Sequence, residues 1–180
     1  MSLEIVLGPM FAGKSSYVLS TVRRNAAIGI RVLVVKPRID VRYAAQEVVT
    51  HDDARTECIV VENLIQARTY ADRHQIIVVE EAQFFPDLVD FVTYNVDTLR
   101  KRVILIGLDG DSQRQPFGQL LQCIPLADEI TKLKALCAVC RDGTPAIFTY
   151  RRSIVESQIH IGGADEYSPL CRACYINEST

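Results

Sequence analysis

The chain has 180 residues, 48% of them hydrophobic, and a formal net charge of -2. That length holds one domain with room for a small appendage. No apolar run approaches the ~18 residues read as a membrane span, and the near-neutral balance gives no global basic field to draw the chain to nucleic acid.

In chain order, "LEIVL" is a short apolar run that ends at Gly8 and reads as a strand. "KSSYVLSTVRRNAAIG" reads as a helix closed by Gly29, and "RVLVVKP" as a strand stopped by Pro37. Residues 38–55 are polar and weakly periodic, the pattern of a mobile loop. "ECIVVEN" predicts a third strand, "LIQARTYADRH" a helix and "QIIVVEE" a strand buried on both faces. "PDLVDFVTYNVDTLRKR" predicts a helix with Pro86 in its first turn, and "RVILIGL" another strand. Alternating elements with near-continuous apolar strands predict an α/β fold whose parallel sheet is covered on both faces. After about Gln122 the pieces shorten and turn signals multiply, which predicts a small β-rich, metal-stapled unit. The division is drawn at residues 1–130 and 131–180.

Three constellations carry chemistry. Gly8, Gly13, Lys14 and Ser15 fit G-x-x-x-x-G-K-[ST] between a strand and a helix, where backbone N–H groups and a helix N-terminus gather to attract phosphate. Lys14 would reach the β/γ-phosphates of a nucleoside triphosphate, and the Ser15 hydroxyl would ligate Mg²⁺. Two large apolar residues, Met10 and Phe11, sit inside this loop although phosphate asks for neither. Next, Glu80 and Glu81 close a buried strand at its carboxyl end, where sheets of this kind bind ligands. Adjacent residues point opposite ways, so one acid can steer a metal and the other accept the proton of an attacking hydroxyl. Phe84 and Phe85 follow; core packing is their default, stacking on a flat base the alternative. Last, Cys137, Cys140, Cys171 and Cys174 form two C-x-x-C knuckles, enough thiolates to close a tetrahedral structural Zn²⁺ site. The interval between the knuckles must hold a hairpin or loop. Cys58 and Cys123 stand outside any C-x-x-C spacing and read as small buried hydrophobes. Six cysteines behind an N-terminus without a secretory signal point to a reducing, cytoplasmic setting.

The motifs, taken in order, resemble the type II thymidine kinases of cellular and large-DNA-virus origin. "GPMFAGKS" resembles that family's G-P-M-F-[SA]-G-K-[ST] loop, "DVRYAAQEVVTHD" its D-x-R-Y…T-H-D loop and "EEAQFFPD" its D-E-x-Q-F-F motif. "GLDGDSQRQPFG" resembles L-D-G-x-F-x-R-x-x-F, and "IGGADEYSPLCRACY" the G-G-x-x-x-Y-x-x-x-C-x-x-C ending. The resemblance implies a RecA-like P-loop domain carrying a zinc-stapled lasso. It implies transfer of the ATP γ-phosphoryl group to the 5′-hydroxyl of thymidine or deoxyuridine, with Glu81 as the base. On the ATP and Mg²⁺ side it implies the loop Gly8, Pro9, Met10, Phe11, Ala12, Gly13, Lys14 and Ser15, together with Asp40, Arg42, Glu80 and Gln83. On the nucleoside side it implies Met10, Phe84, Leu108, Thr149 and Tyr167, with the backbone of Gln158, Ile159, His160, Ile161 and Gly162. Met10 would face the thymine methyl group, while Phe11 packs in the core. A homotetramer and feedback binding of dTTP are implied as well, with no nucleic-acid or membrane partner. The chain departs from the pattern at Glu80, where the family usually has Asp, and at Ser112, where it usually has Phe. Zinc is the only obvious device to hold "QIHIGG" over a base. The rival reading is a P-loop ATPase that binds nucleic acid through a zinc ribbon, but acids in "VESQ" and "GADEY" dilute the charge of "RDGTPAIFTYRR".

Overall fold

The computed structural model describes residues 1–39, 47–49, 55–153 and 157–179, with 47–49 and 55–57 described as backbone alone. The first part runs β1 (Ser2–Leu7), α1 (Lys14–Ala26), β2 (Val32–Pro37), β3 (Glu47–Val49), β4 (Arg55–Glu57) and β5 (Ile59–Val61). It continues through α2 (Arg68–Ala71), β6 (Ile76–Val79), α3 (Leu88–Thr93), β7 (Arg102–Gly107) and β8 (Glu129–Lys132). Six strands form one sheet in the order β5-β2-β6-β7-β1-β8, and every pairing in it is parallel.

Period-two alternation divides the strand side chains between two cores. Leu3, Ile5, Leu33, Val35, Ile77, Val79, Val103 and Leu105 face Leu64, Leu88, Phe91 and Leu120 on one side. Val6, Val34, Val78, Ile104 and Ile106 face Val18 of α1 on the other. The near-continuous apolar runs follow from this double burial. Among the described residues no helix is long and apolar enough to cross a membrane.

Three elements differ from their sequence reading. The "LIQARTYADRH" helix is a 3-10 turn at Leu64–Ala67 followed by only the four residues of α2. Its start is fixed by a capping box between Asn63 and Gln66. The Asp87 carboxylate also accepts the backbone N–H groups of Leu64 and Ile65 at 3.0 and 2.9 Å. Asp87 is itself the N-cap residue of α3, so Pro86 lies just outside the first turn of that helix. β8 has no apolar run to announce it, because Glu129 and Ile130 lie exposed on the sheet edge. It is held by pairing with β1 and by the Asp128 carboxylate, which accepts Leu3 N–H at 2.7 Å. Most of the stretch expected as a mobile loop, 38–55, lies outside the described residues; β3 and β4 at its far end pair antiparallel.

The remainder is small and β-rich. β9 (Ala135–Leu136) pairs antiparallel with β10 (Pro145–Ala146), and β11 (Phe148–Arg151) with β12 (Tyr167–Leu170). Thus the interval between the cysteine pairs does hold a hairpin. The short helix α4 (Arg172–Glu178) closes the unit. Its core contains Ala135, Cys137, Ala146, Leu170, Cys171 and Tyr175.

Candidate active site

The phosphate loop leaves β1 and enters α1 through Gly13, whose φ of 82° lies in the left-handed region that glycine adopts without strain. No acidic residue occupies the first turn of α1, so nothing offsets the positive end of its dipole. Lys14 Nζ donates to the carbonyls of Gly8 and Pro9 at 3.1 and 2.8 Å, arching over its own loop. Ser15 Oγ donates to Glu80 Oε1 at 2.8 Å. Glu80 is buried and follows β6 directly, its backbone N–H bonded to Val35 O. These adjacent hard oxygens have the chemistry of a Mg²⁺ site at the phosphate end of the loop.

The two large apolar residues of the loop part company. Met10 lines a cavity, and its N–H donates to Thr149 Oγ1 of β11 at 3.0 Å. Phe11, at φ 65°, packs against the core of the cysteine unit instead of the sheet core. The two aromatics after the acids also divide: Phe85 is buried in the sheet core, and Phe84 reaches the cavity.

The cavity encloses about 570 Å³, open space at its mouth included. Met10, Glu81, Phe84, Leu108, Thr149 and Tyr167 converge on it from five separate segments. Gln158, Ile159, His160 and Ile161 form another wall. Gly162 does not line it; the space beside its Cα is taken by Glu166 and Tyr167. Asp40 and Arg42 lie outside the described residues. Gln83, grouped by the resemblance with ATP contacts, is buried beside Glu81.

Sequence reasoning did not single out Ile39, Gly110, Asp111 or Phe117, all of which line the cavity along with Ser112. Phe117 meets Phe84 edge to face at 5.3 Å between ring centroids. Asp111 organises its own turn, with Oδ1 accepting the N–H groups of Gln113 and Gln115 at 2.8 and 2.9 Å. Its Oδ2 accepts Gln158 Nε2 at 2.8 Å. The "QIHIGG" segment is therefore not held by the cysteine unit alone. Gln158 also reaches Pro116 O, and Tyr167 Oη donates to His160 O at 2.5 Å.

The Sγ atoms of Cys137, Cys140, Cys171 and Cys174 lie within 4.8 Å of one another. Cys140 is 3.8 Å from Cys171 and 3.5 Å from Cys174. A tetrahedron with Zn–S of about 2.3 Å has S–S edges of about 3.8 Å, so the set fits zinc. Burial opposes ionisation of Cys137, but backbone N–H groups of Cys140, Cys171 and Val139 outweigh it and bring the thiol down to about 6. This unit touches the cavity wall directly, since Tyr175 Oη of α4 donates to Ser112 O at 2.6 Å. Arg114 stacks over the Tyr175 ring at 4.7 Å. Cys123 stays apart in the sheet core, where burial pushes its thiol up to about 11.

A parallel sheet, a phosphate loop at the carboxyl end of β1 and a Cys₄ unit on the same side are the features of a P-loop phosphotransferase with a structural metal. A family model described as thymidine kinase matches residues 1–175. A thymidine kinase of Oryza sativa is 41% identical over 97% of this chain and 66% of its own length. Thymidine kinase a of Arabidopsis thaliana is 39% identical over 97% of this chain and 75% of its own. A cytosolic thymidine kinase of Gallus gallus is 38% identical over 98% and 77%. The chain belongs to the thymidine kinase family, and ATP-dependent phosphorylation of a nucleoside is the activity that membership carries.

Proposed function

We propose that the chain transfers the γ-phosphoryl group of ATP to the 5′-hydroxyl of thymidine or deoxyuridine, with Glu81 as general base. The observation that carries this reading is the position of Glu81 on the cavity wall, in a chain segment that begins one residue after the Ser15 partner Glu80. One carboxylate thus serves the phosphate end and its neighbour the acceptor end. The nucleoside would enter between Met10, Phe84, Phe117 and Tyr167, with the backbone of 158–161 reading the base edge. Lys14 would turn from the carbonyls of Gly8 and Pro9 to the transferring phosphoryl group. Bound Mg²⁺, held near Ser15 and Glu80, would neutralise charge on the β- and γ-phosphates. In this reading the chain is of the type II branch, a RecA-like domain bearing a zinc lasso, cytoplasmic and homotetrameric. Feedback binding of dTTP belongs to the same reading, and neither nucleic acid nor membrane is a partner. The two units would be the sheet domain through β8 and the cysteine-bearing remainder, so the division falls a little beyond residue 130.

Glu81→Gln tests the base. The amide can hydrogen-bond the 5′-hydroxyl but cannot take its proton, and such catalysis is typically worth ~10²–10⁴-fold. Phosphoryl transfer is often loose, so a loss near 10²-fold is expected, with thymidine affinity retained. Near wild-type turnover in the purified variant removes Glu81 from that role.

Ser112→Phe tests the pocket wall. A ring there adds an aromatic contact worth roughly 0.5–1.5 kcal/mol. Since the Ser112 group bonded to Tyr175 is its carbonyl, the substitution leaves that bond in place. Thymidine should bind about 2- to 10-fold tighter, and deoxyuridines with bulky 5-substituents should compete less well. Unchanged selectivity in competition assays would put Ser112 outside the nucleoside contact.

A further inference from the structure

Resting on Glu81 as the base, we infer that Gln83 is a positioning residue that aims the Glu81 carboxylate at the acceptor hydroxyl. Gln83 Nε2 donates to Glu81 Oε2 at 2.6 Å, and Gln83 Oε1 accepts Leu108 N–H at 3.1 Å. Only one orientation of the amide satisfies both partners, because the carboxylate can only accept and the N–H can only donate. Gln83 is buried, 3% exposed, so its amide end of each bond is shielded from water, while Glu81 and Leu108 are half-buried. Two glycines make the space. A Cβ on Gly107, at the end of β7, would overlap Gln83 Oε1, and one on Gly118 would overlap the Gln83 carbonyl. Gly118 has φ +58°, so both room and backbone favour glycine there.

Glu81 has φ 49° and ψ 44°, a left-handed conformation that non-glycine residues rarely hold. Such a backbone persists where its surroundings over-determine it. It turns the residue out of the line of β6, and the amide two positions on ties its carboxylate to the strand end of β7. Glu81 and Leu108 both line the cavity. One side chain therefore couples the direction of the base to the wall against which the nucleoside would lie.

The test uses the full zinc-loaded chain with ATP, Mg²⁺ and thymidine. Gln83→Met keeps the volume and removes both bonds. It is expected to lower kcat about tenfold, with both KM values within about twofold and wild-type thymidine stoichiometry by calorimetry. In a Glu81→Gln background the same change should lower kcat by less than about twofold, since a residue that acts through Glu81 has nothing left to aim. A loss as large in that background as in the wild type overturns the inference and leaves Glu81 untouched. Wild-type turnover in Glu81→Gln alone instead overturns the reading beneath it. If Gln83→Met does not fold, Gln83→Glu decides. It keeps an acceptor for Leu108 N–H and sets two carboxyl groups side by side, so the pair retains a proton to higher pH. The acid limb of its kcat profile should move up by about one pH unit or more. Glu80, Asp111 and His160, which lines the same cavity with Glu166 beside it, are common to both proteins and cancel in the comparison. An unshifted limb overturns the inference.

Discussion

Lys14→Ala is expected to reduce turnover by about 10²–10³-fold or more, the scale of losing a preorganised charge from a transition state. The ammonium lies at the loop, 3.1 and 2.8 Å from the Gly8 and Pro9 carbonyls. It needs only a side-chain rotation to exchange those acceptors for phosphate oxygens. Its removal takes one positive charge from the transferring group and lets the loop slacken between Gly8 and Gly13. Thymidine should be affected far less, within about threefold in Kd. Lys14 does not line the cavity; the loop contributes Met10 there, and that residue is held by Thr149 across the molecule. Calorimetry with each ligand separately, beside a phosphotransfer assay, checks both halves. Thymidine binding lost with ATP binding intact would reverse the assignment of the two ends.

Cys171→Ser should give the largest effect on the nucleoside side. Cys171 is the N-cap residue of α4, and its N–H bonds to Cys137 Sγ at 3.4 Å. Structural zinc contributes folding energy outright in small units of this kind, and the core here is only a handful of residues around the cysteines. Without the metal, β12 and α4 lose their anchor, and with them go the Tyr175 bond to Ser112 and the Thr149 contact of Met10. Re-ordering a freed segment costs about 1–2 kcal/mol per residue in backbone entropy. Gln158, bonded to Asp111 and Pro116, still restrains part of the wall. Thymidine affinity is therefore expected to fall about 10- to 100-fold, while ATP affinity stays within about threefold. Mass spectrometry should find one zinc per wild-type chain. A zinc-free variant that binds thymidine normally would show that the metal does not order the pocket.

What was legible in the sequence was whatever is local. The strands of the sheet interior announce themselves as apolar runs, the phosphate loop as a glycine spacing and the metal unit as two cysteine pairs. The order of motifs grouped Met10, Phe84, Leu108, Thr149 and Tyr167, and these five line one cavity. What stayed hidden depends on topology. Phe117 comes to Phe84, and Gly107 and Gly118 come to Gln83, only because β7 lies beside β6. Tyr175 and Ser112 are 63 positions apart and meet through the packing of α4 on a turn. β8 was invisible because an edge strand with one exposed side has no apolar run to display. The "QIHIGG" segment looked unsupported because its partner Asp111 stands 47 positions away.

The strand order has a consequence for synthesis on the ribosome. β1 is made before every other element of the sheet, yet its partners in the sheet are β7 and β8. At about 5–20 residues per second, on the order of 100 further residues occupy roughly 5–20 s. Through that interval β2, β5 and β6 can pair among themselves, while β1 stays an apolar strand without its neighbours. The phosphate loop that follows it has nothing to brace it either, since Leu133 N–H bonds to Leu7 O at 2.8 Å from beyond β8. The phosphate loop thus waits for β8, the last-made strand of the sheet, before it takes shape. A nascent chain halted between β6 and β7 carries the complete ATP-loop sequence without an ATP site, and exposes a sticky strand for chaperones to cover.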